Sequence, residues 1–351
     1  MKKLLSLLLL LCLASAIFAG CVSEPAETSS TSLDHSSTQA DSLTENSSVA
    51  EKTDVNILTI AGPTGIGMAK LMQDDEQNKT ANDYAFTITS TPSDVLSAIM
   101  SGSADIAACP INLASNIFAK SEQGIEVLAI NTLGVLYIVT NGAEINDFSD
   151  LDGKDIVASG EGATPEFAMK YLGEAYGINF NLQFVDEFAT AAGMIASGEC
   201  EIALLAEPSV TSALIKNNEL KVALDLTAIW RQAGDDGKIA DVELAQGCVI
   251  VRKEFAKANP EAVKAFMNEY AASVAYMSNK DNLETAASLC ENYGIVPKAA
   301  IAKKAIPNCN LVCITGSEMK SMMEENLKVF FQYKPGSIGG ALPTDEFYYA
   351  G

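Results

Sequence analysis

Glu207 is the ionisable side chain whose setting points most directly to binding chemistry. It follows the apolar run Ile202–Ala206 and directly precedes Pro208. That places it at the carboxyl end of an expected strand, where open α/β sheets bind their ligands. A carboxylate there could accept hydrogen bonds from an amine or ring N–H of a small ligand. The alternative is an exposed acid at a helix start, where negative charge is favoured in any case. Several turns add to this edge: Gly62-Pro63-Thr64-Gly65-Ile66-Gly67, Thr91-Pro92-Ser93-Asp94, Pro110-Ile111-Asn112-Leu113 and Gly160-Glu161-Gly162-Ala163-Thr164-Pro165. Each follows an expected strand and opens an expected helix, so it presents unpaired amides and the positive end of a helix dipole. Such ends suit a carboxylate, sulfonate or phosphate, although capped turns of this kind occur in every α/β protein. Tyr137, Gln246 and Cys248 lie on two strands expected to cross between the halves of the molecule and to floor a cleft. Trp230, the single tryptophan, either stacks on a ring of the ligand or packs between segments.

Other chemistries are excluded by what is missing. The one histidine, His35, lies in a polar tract, so the folded part has no histidine-based triad and no histidine metal cluster. We expect no metal, no cofactor and no catalytic residue. Gly65-Ile66-Gly67 has Lys70 where a dinucleotide fingerprint needs its third glycine, and no Gly-Lys-Ser/Thr ends a phosphate loop. The formal charge is −22, with only two arginines, Arg231 and Arg252. A surface this acidic repels nucleic acid, yet backbone amides still bind a small anion. Of the cysteines, Cys109, Cys200 and Cys248 sit in or beside apolar runs and read as small core residues. Cys290, Cys309 and Cys313 are close enough in sequence for one disulfide outside the cytosol.

The amino terminus gives the setting. Lys2 and Lys3 precede the apolar run Leu4–Phe18, and Ala19, Gly20 and Cys21 follow. This is a secretion signal over residues 1–20 ending in a lipobox-like site, with Cys21 as the acylated residue. An ordinary signal peptide cut near Ala19 is the alternative. The run is too short for a membrane-spanning helix of about 20 residues. Residues 21–52 continue as a linker rich in Ser and Thr with few large apolar side chains, which cannot bury enough surface to offset its ordering entropy.

The elements that must position these residues follow from periodicity. Val55–Ile60, Tyr84–Ser90, Asp105–Cys109, Glu126–Asn131 and Leu136–Thr140 read as strands, with helices from about Thr64, from Thr91 or Ser93 to about Met100, and over Asn112–Lys120. The pattern restarts with strands at Asp155–Ser159, Leu182–Asp186, Glu201–Leu205 and Lys221–Leu226, alternating with helices at Thr164–Tyr176, Phe188–Ser197 and Pro208–Asn217. Cys248–Arg252 is one more strand. From Phe255 the chain is mostly helical, at Pro260–Met277, Asn282–Tyr293, Pro297–Lys304 and Ser317–Gln332. The fold class is α/β, with two mostly parallel sheets flanked by helices. Leu96–Asp105 and Ala191–Glu201 repeat one unit: a helix end, a Ser-Gly stop, an acid and an apolar strand.

With these segments in order, the chain resembles the extracytoplasmic substrate-binding proteins of ABC importers, in the group handling nitrate, sulfonates, taurine and thiamine pyrimidine precursors. The resemblance is carried by lipobox Cys21, the Ser/Thr linker, the Gly-Pro-Thr-Gly turn at residues 62–65, Ser101–Ala107, the Asp150-Leu151-x-Gly153-Lys154 entry to the second half, and Ala206-Glu207-Pro208. It implies a two-lobe clamp of the second periplasmic-binding type, with lobe 1 over 53–139 plus 245–351 and lobe 2 over 140–244. Carried onto matching positions, it makes Pro63, Thr64, Gly65, Asn112, Gly162, Ala163, Thr164, Glu207 and Gln246 cleft residues, beside Tyr137 on the floor. It further implies a monomer, tethered to the membrane through lipid on Cys21, that hands a small polar ligand to a permease and its ATPase. A receptor signalling to a membrane sensor is one alternative. An enzyme on the same fold, making a pyrimidine or menaquinone precursor, is another.

Overall fold

The computed structural model describes residues 52–351 apart from Gln123. The signal, Cys21 and nearly all of the linker lie outside the described residues. Strands β1 (Asp54–Ile60), β2 (Asp83–Thr89), β3 (Ile106–Pro110) and β4 (Ile125–Leu133) precede β5 (Leu136–Thr140), β6 (Asp155–Ser159), β7 (Asn181–Val185), β8 (Ile202–Ala206) and β9 (Lys221–Asp225), with β10 (Ala245–Arg252) and β11 (Leu311–Ile314) last. They form two sheets, in the orders β11-β4-β10-β3-β1-β2 and β7-β6-β8-β5-β9. Each sheet has three parallel strands followed by one antiparallel strand, β10 in the first and β5 in the second. Those two antiparallel strands adjoin the two passages between the sheets. The chain leaves the first sheet after Leu133, enters the second at Leu136, and returns at Ala245, so residues 136–139, expected in lobe 1, form part of the second sheet.

Burial explains the order. β8 reads Ile-Ala-Leu-Leu-Ala and is buried at every position, as a central strand covered on both faces must be. The edge strands β2 and β7 carry exposed residues along their length. The one helix expected from about Thr64 is two, α1 (Pro63–Ile66) and α2 (Ala69–Glu76), while helices α3 (Pro92–Ser101), α4 (Ile111–Lys120), α5 (Thr164–Tyr176), α6 (Phe188–Ser197) and α7 (Ser209–Lys216) fall where the sequence places them. The repeated unit is real in backbone: Gly102 and Gly198 end α3 and α6 with φ of 74° and 83°. A side chain would be strained in that left-handed cap.

Helix α8 (Leu226–Asp235) and strand β11 were not expected. Asp225 caps α8 by accepting from Thr227 N at 2.8 Å and Ala228 N at 3.4 Å, and Trp230 supplies its buried face. Strand β11 is short and half-buried throughout, so its sequence carries no strong alternation. Helices α9 (Lys253–Ala258), α10 (Pro260–Ser278), α11 (Leu283–Asn292), α12 (Ala299–Ala305) and α13 (Gly316–Tyr333) complete the chain. Cys290, Cys309 and Cys313 pack in one cluster but are all free, so the suggested bridge among them is not formed.

One apolar core runs from the first sheet into the second, through Ile130, Leu133, Leu136, Phe167 and Phe330 among others. On this side α13 lies against α5: the Phe167 ring stacks on Tyr333 at 5.9 Å and meets Phe330 edge-on at 5.2 Å. The passage between the sheets is tight. A Cβ on Gly134 would lie 2.3 Å from Thr227 Oγ1 and 3.2 Å from its Cβ. Thr227 is buried, and its β-branched side chain has little room to turn. We therefore expect Gly134→Ala to lower stability by roughly 1–3 kcal/mol, as overpacked cores do. Adding Thr227→Ala should recover part of the loss. Urea unfolding of the three proteins checks this, and an unchanged midpoint for Gly134→Ala would contradict it.

Candidate functional site

The expected cleft residues sit at the ends of strands from both sheets, but they do not all face one space. Gly62, with φ 93°, opens the turn after β1, and Pro63 is the first residue of α1. Thr64 O accepts a hydrogen bond from Asn131 Nδ2 at 3.0 Å. Gly65 lies so close to β1 that a Cβ there would be 2.6 Å from Ile60 O. This turn approaches the second lobe: a Cβ on Gly62 would lie 3.9 Å from Pro208 Cδ. The opening turn and Ala206-Glu207-Pro208 are thus brought together across the lobes.

Asn112 stands in the first turn of α4, half-buried, with its side-chain carbonyl oxygen buried and unpartnered. Gly162, Ala163 and Thr164 lead into α5, and Thr164 is buried. Here the amide expected to face an anion is already used, because Gly162 N donates to Glu166 Oε2 at 2.6 Å. Lys334, just beyond α13, brings its ammonium to this turn; a Cβ on Gly162 would lie 3.2 Å from Lys334 Nζ. Gln246 serves the backbone of the crossing, accepting from Val135 N at 2.5 Å through Oε1. Trp230 is buried, donates to Val242 O at 2.7 Å and packs on Tyr171, which decides for packing over ligand stacking.

Glu207 and Tyr137 do share a space. They line a cavity of about 420 Å³ with Val210, Thr211, Leu214 and Ile215 of α7, Val222 of β9, and Lys304 and Asn308 from the far side. Glu207 is not the exposed acid of the alternative reading, being only 3% exposed. Its Oε1 accepts from Thr211 Oγ1 at 2.9 Å and from Asn308 Nδ2 at 3.3 Å, and its Oε2 from Thr211 N at 3.1 Å. Tyr137 Oη donates to Asn308 O at 3.2 Å. Asn308 follows α12 on the first-sheet side, so one residue of that lobe is held by two residues of the other. Apolar packing joins the lobes along α5 and α13, whereas polar contacts around a cavity join them along α7 and α12.

Burial raises the Glu207 carboxyl above its ordinary range, and the bonds from Thr211 and Asn308 offset part of that rise. Burial also raises the Tyr137 phenol, helped by the negative charges of Asp225 and Glu207. Thr211, Lys304 and Asn308 were missed from sequence. Thr211 lies only four residues after Glu207, but nothing local ties Asn308 to Glu207, 101 residues away. Among the described residues no group of three or more His, Cys, Asp or Glu stands ready to hold a metal ion. No described helix is long and apolar enough to cross a membrane.

Two α/β lobes of matching strand order, joined by two passages and enclosing polar groups between them, define a periplasmic-binding-protein fold of the second type. The family model described as NMT1/THI5 like matches residues 85–282, more than half of the chain. The chain belongs to the NMT1/THI5-like family. Among solved structures it is similar to an ABC transporter protein from Parabacteroides distasonis (TM-score 0.71, 21% identity, covering 85% of this chain and 99% of that one). It is also similar to the periplasmic aliphatic sulphonate-binding protein of Escherichia coli (0.66, 14%, 85% and 92%). The periplasmic nitrate-binding protein of Synechocystis PCC 6803 is a third (0.57, 15%, 82% and 84%). At these identities the likeness is one of fold. No curated protein matches the chain.

A carboxyl with a raised native pKa binds its proton more tightly folded than unfolded, so its contribution to stability is present below the ordinary carboxylate range and is lost as pH rises through the native value. Glu207→Gln keeps the shape and removes the buried charge. We expect its melting temperature to gain on the parent's as pH rises from acid to neutral. Thermal melts across that range check this; a constant difference between the two would sink it.

Proposed function

We propose that the protein is the substrate-binding component of an ABC importer, tethered to the outer face of the cell membrane by lipid on Cys21. It takes a small polar ligand between its two lobes and delivers it to a permease with its ATPase. The observation that carries this reading is the cavity of about 420 Å³ whose walls come from both lobes. A ligand touching both walls binds the closed arrangement better than an open one and shifts the population towards it. The family membership and the fold shared with the sulphonate- and nitrate-binding neighbours support the same role.

The lining leans towards a nitrogen-bearing ligand. Glu207 and Tyr137 offer an acceptor and a hydroxyl on one wall, and Lys304 is the single cation among the lining residues. The apolar side chains of Val210, Leu214, Ile215 and Val222 suit a small hydrocarbon or ring portion. The turns at Pro63–Gly65, Asn112 and Gly162–Thr164 form the rest of the proposed cleft, with Gln246 at its floor. We expect micromolar affinity, about −8 kcal/mol, enough for capture and weak enough for release. We infer binding without turnover, by a monomer.

Native mass spectrometry of protein purified without denaturation tests the reading. A discrete small mass, lost on unfolding, is the expected result. Absence of any adduct, together with no thermal shift from sulfonates, nitrate, amines or pyrimidines, would overturn it. Once the ligand is known, Glu207→Gln should weaken binding by about tenfold, the cost of one charge-assisted hydrogen bond of roughly 1.5 kcal/mol. For the tether, Cys21→Ser should move the protein from the membrane fraction to the soluble fraction; continued membrane association would argue against acylation at this residue.

A further inference from the structure

We propose that Cys109 and Cys248 are a cross-strand disulfide site, oxidised as the first sheet assembles, that staples the strand returning from the second lobe to the parallel core of the first. Cys109 lies on β3 and Cys248 on β10, and the antiparallel register sets them directly opposite each other. Directly opposed residues of an antiparallel pair have Cα atoms about 4.5–5.5 Å apart, within the roughly 4.4–6.8 Å that disulfides span. Their side chains leave the sheet on the same face, and both belong to the core that continues into the second lobe. In this structure both are free thiols, the reduced form of the pair, with Cys248 Sγ donating to Cys109 O at 3.6 Å.

The other described cysteines lack this arrangement. Cys309 Sγ is engaged with Ala305 O at 3.2 Å on α12. Cys290 lies on α11 and Cys313 on β11, and Cys200 is half-buried just before β8. None of these four has a cysteine as its register partner.

Both thiols are fully buried in the finished fold, which closes them to a reagent from solution. The bond must therefore form while β10 is docking. As the S–S bond forms, each thiol loses one proton and one electron. A small disulfide such as glutathione disulfide accepts both electrons and both protons and leaves as two thiols. The stretch between the two cysteines contains every strand of the second sheet. Closing a loop that long removes much of the unfolded chain's freedom.

The test folds the reduced full-length chain in a mixture of reduced and oxidised glutathione, blocks free thiols after unfolding, and maps the peptides by mass. The expected result is a linked pair of peptides carrying Cys109 and Cys248, two hydrogens lighter than the reduced pair. Reduced protein that is already folded should stay unlinked under the same mixture. Recovery of both cysteines in blocked form after oxidative folding, or their linkage to Cys290 or Cys309 instead, would overturn the proposal. Comparing oxidised with reduced wild-type protein needs no variant: the linked form should melt roughly 5–10 °C higher. Equal melting points would overturn the stapling role. Cys248→Ser should abolish the linked pair.

Discussion

The passage from Leu133 to Leu136 is the constraint on which both lobes depend. A backbone crossing between two sheets leaves the ladders that would satisfy its amides and carbonyls, and unpaired buried groups are costly. Here the groups are satisfied from both sides. Val135 N donates to Gln246 on β10, Val135 O accepts from Glu207 N at 3.1 Å, and Gly134 O accepts from Asn310 Nδ2 at 2.5 Å. Leu133 N donates to Asn310 O at 3.1 Å. Asn310 and Gln246 come from the first-sheet side and Glu207 from the second, so the crossing is the knot at which the two lobes fix each other's position. Gly134 has no space for a side chain there because Thr227 fills it.

From that knot the two flanks of the interface differ in kind. Along α5 and α13 the lobes share apolar core, with Phe167 against Phe330 and Tyr333. Such contact is close-packed and tolerates little sliding. Along α7 and α12 the lobes meet through Asn308, held by Glu207 and Tyr137 beside a cavity. A few hydrogen bonds near solvent part at much smaller cost than a packed aromatic cluster. The buried carboxyl of Glu207 sits on the flank held by hydrogen bonds. The same asymmetry explains why a cavity persists there and why its lining mixes an acid, a phenol and a lysine with aliphatic side chains.

Much of this was legible along the chain. The alternation of apolar runs with amphipathic stretches gives nearly every strand of both sheets to within a residue or two, because buried parallel strands must be almost wholly apolar. Gly102 and Gly198 mark helix ends because only a residue without a side chain adopts that backbone cheaply. Short or half-buried pieces escaped. Strand β11 has no clean alternation, and α8 shows itself only once Asp225 is seen to cap it. Of the expected cleft residues, Glu207 and Tyr137 line the cavity, and each was legible as a strand end or a position on a crossing strand. Gln246 also sits on a crossing strand, but its carbonyl is spent on Val135 N.

The sequence by itself determined the class of fold, the position of Glu207 at a carboxyl edge, and the exclusion of histidine chemistry, since these depend on residue type and local period. Only the tertiary structure decided which groups face one another. It buried Glu207 against Thr211 and Asn308, turned Trp230 inward onto Tyr171, engaged the Gly162 amide with Glu166, and set Cys109 opposite Cys248. Except for the local bonds Gly162–Glu166 and Glu207–Thr211, each four residues apart, these pairings join distant segments. Their register is set by how whole strands and helices pack, which no short window of sequence contains.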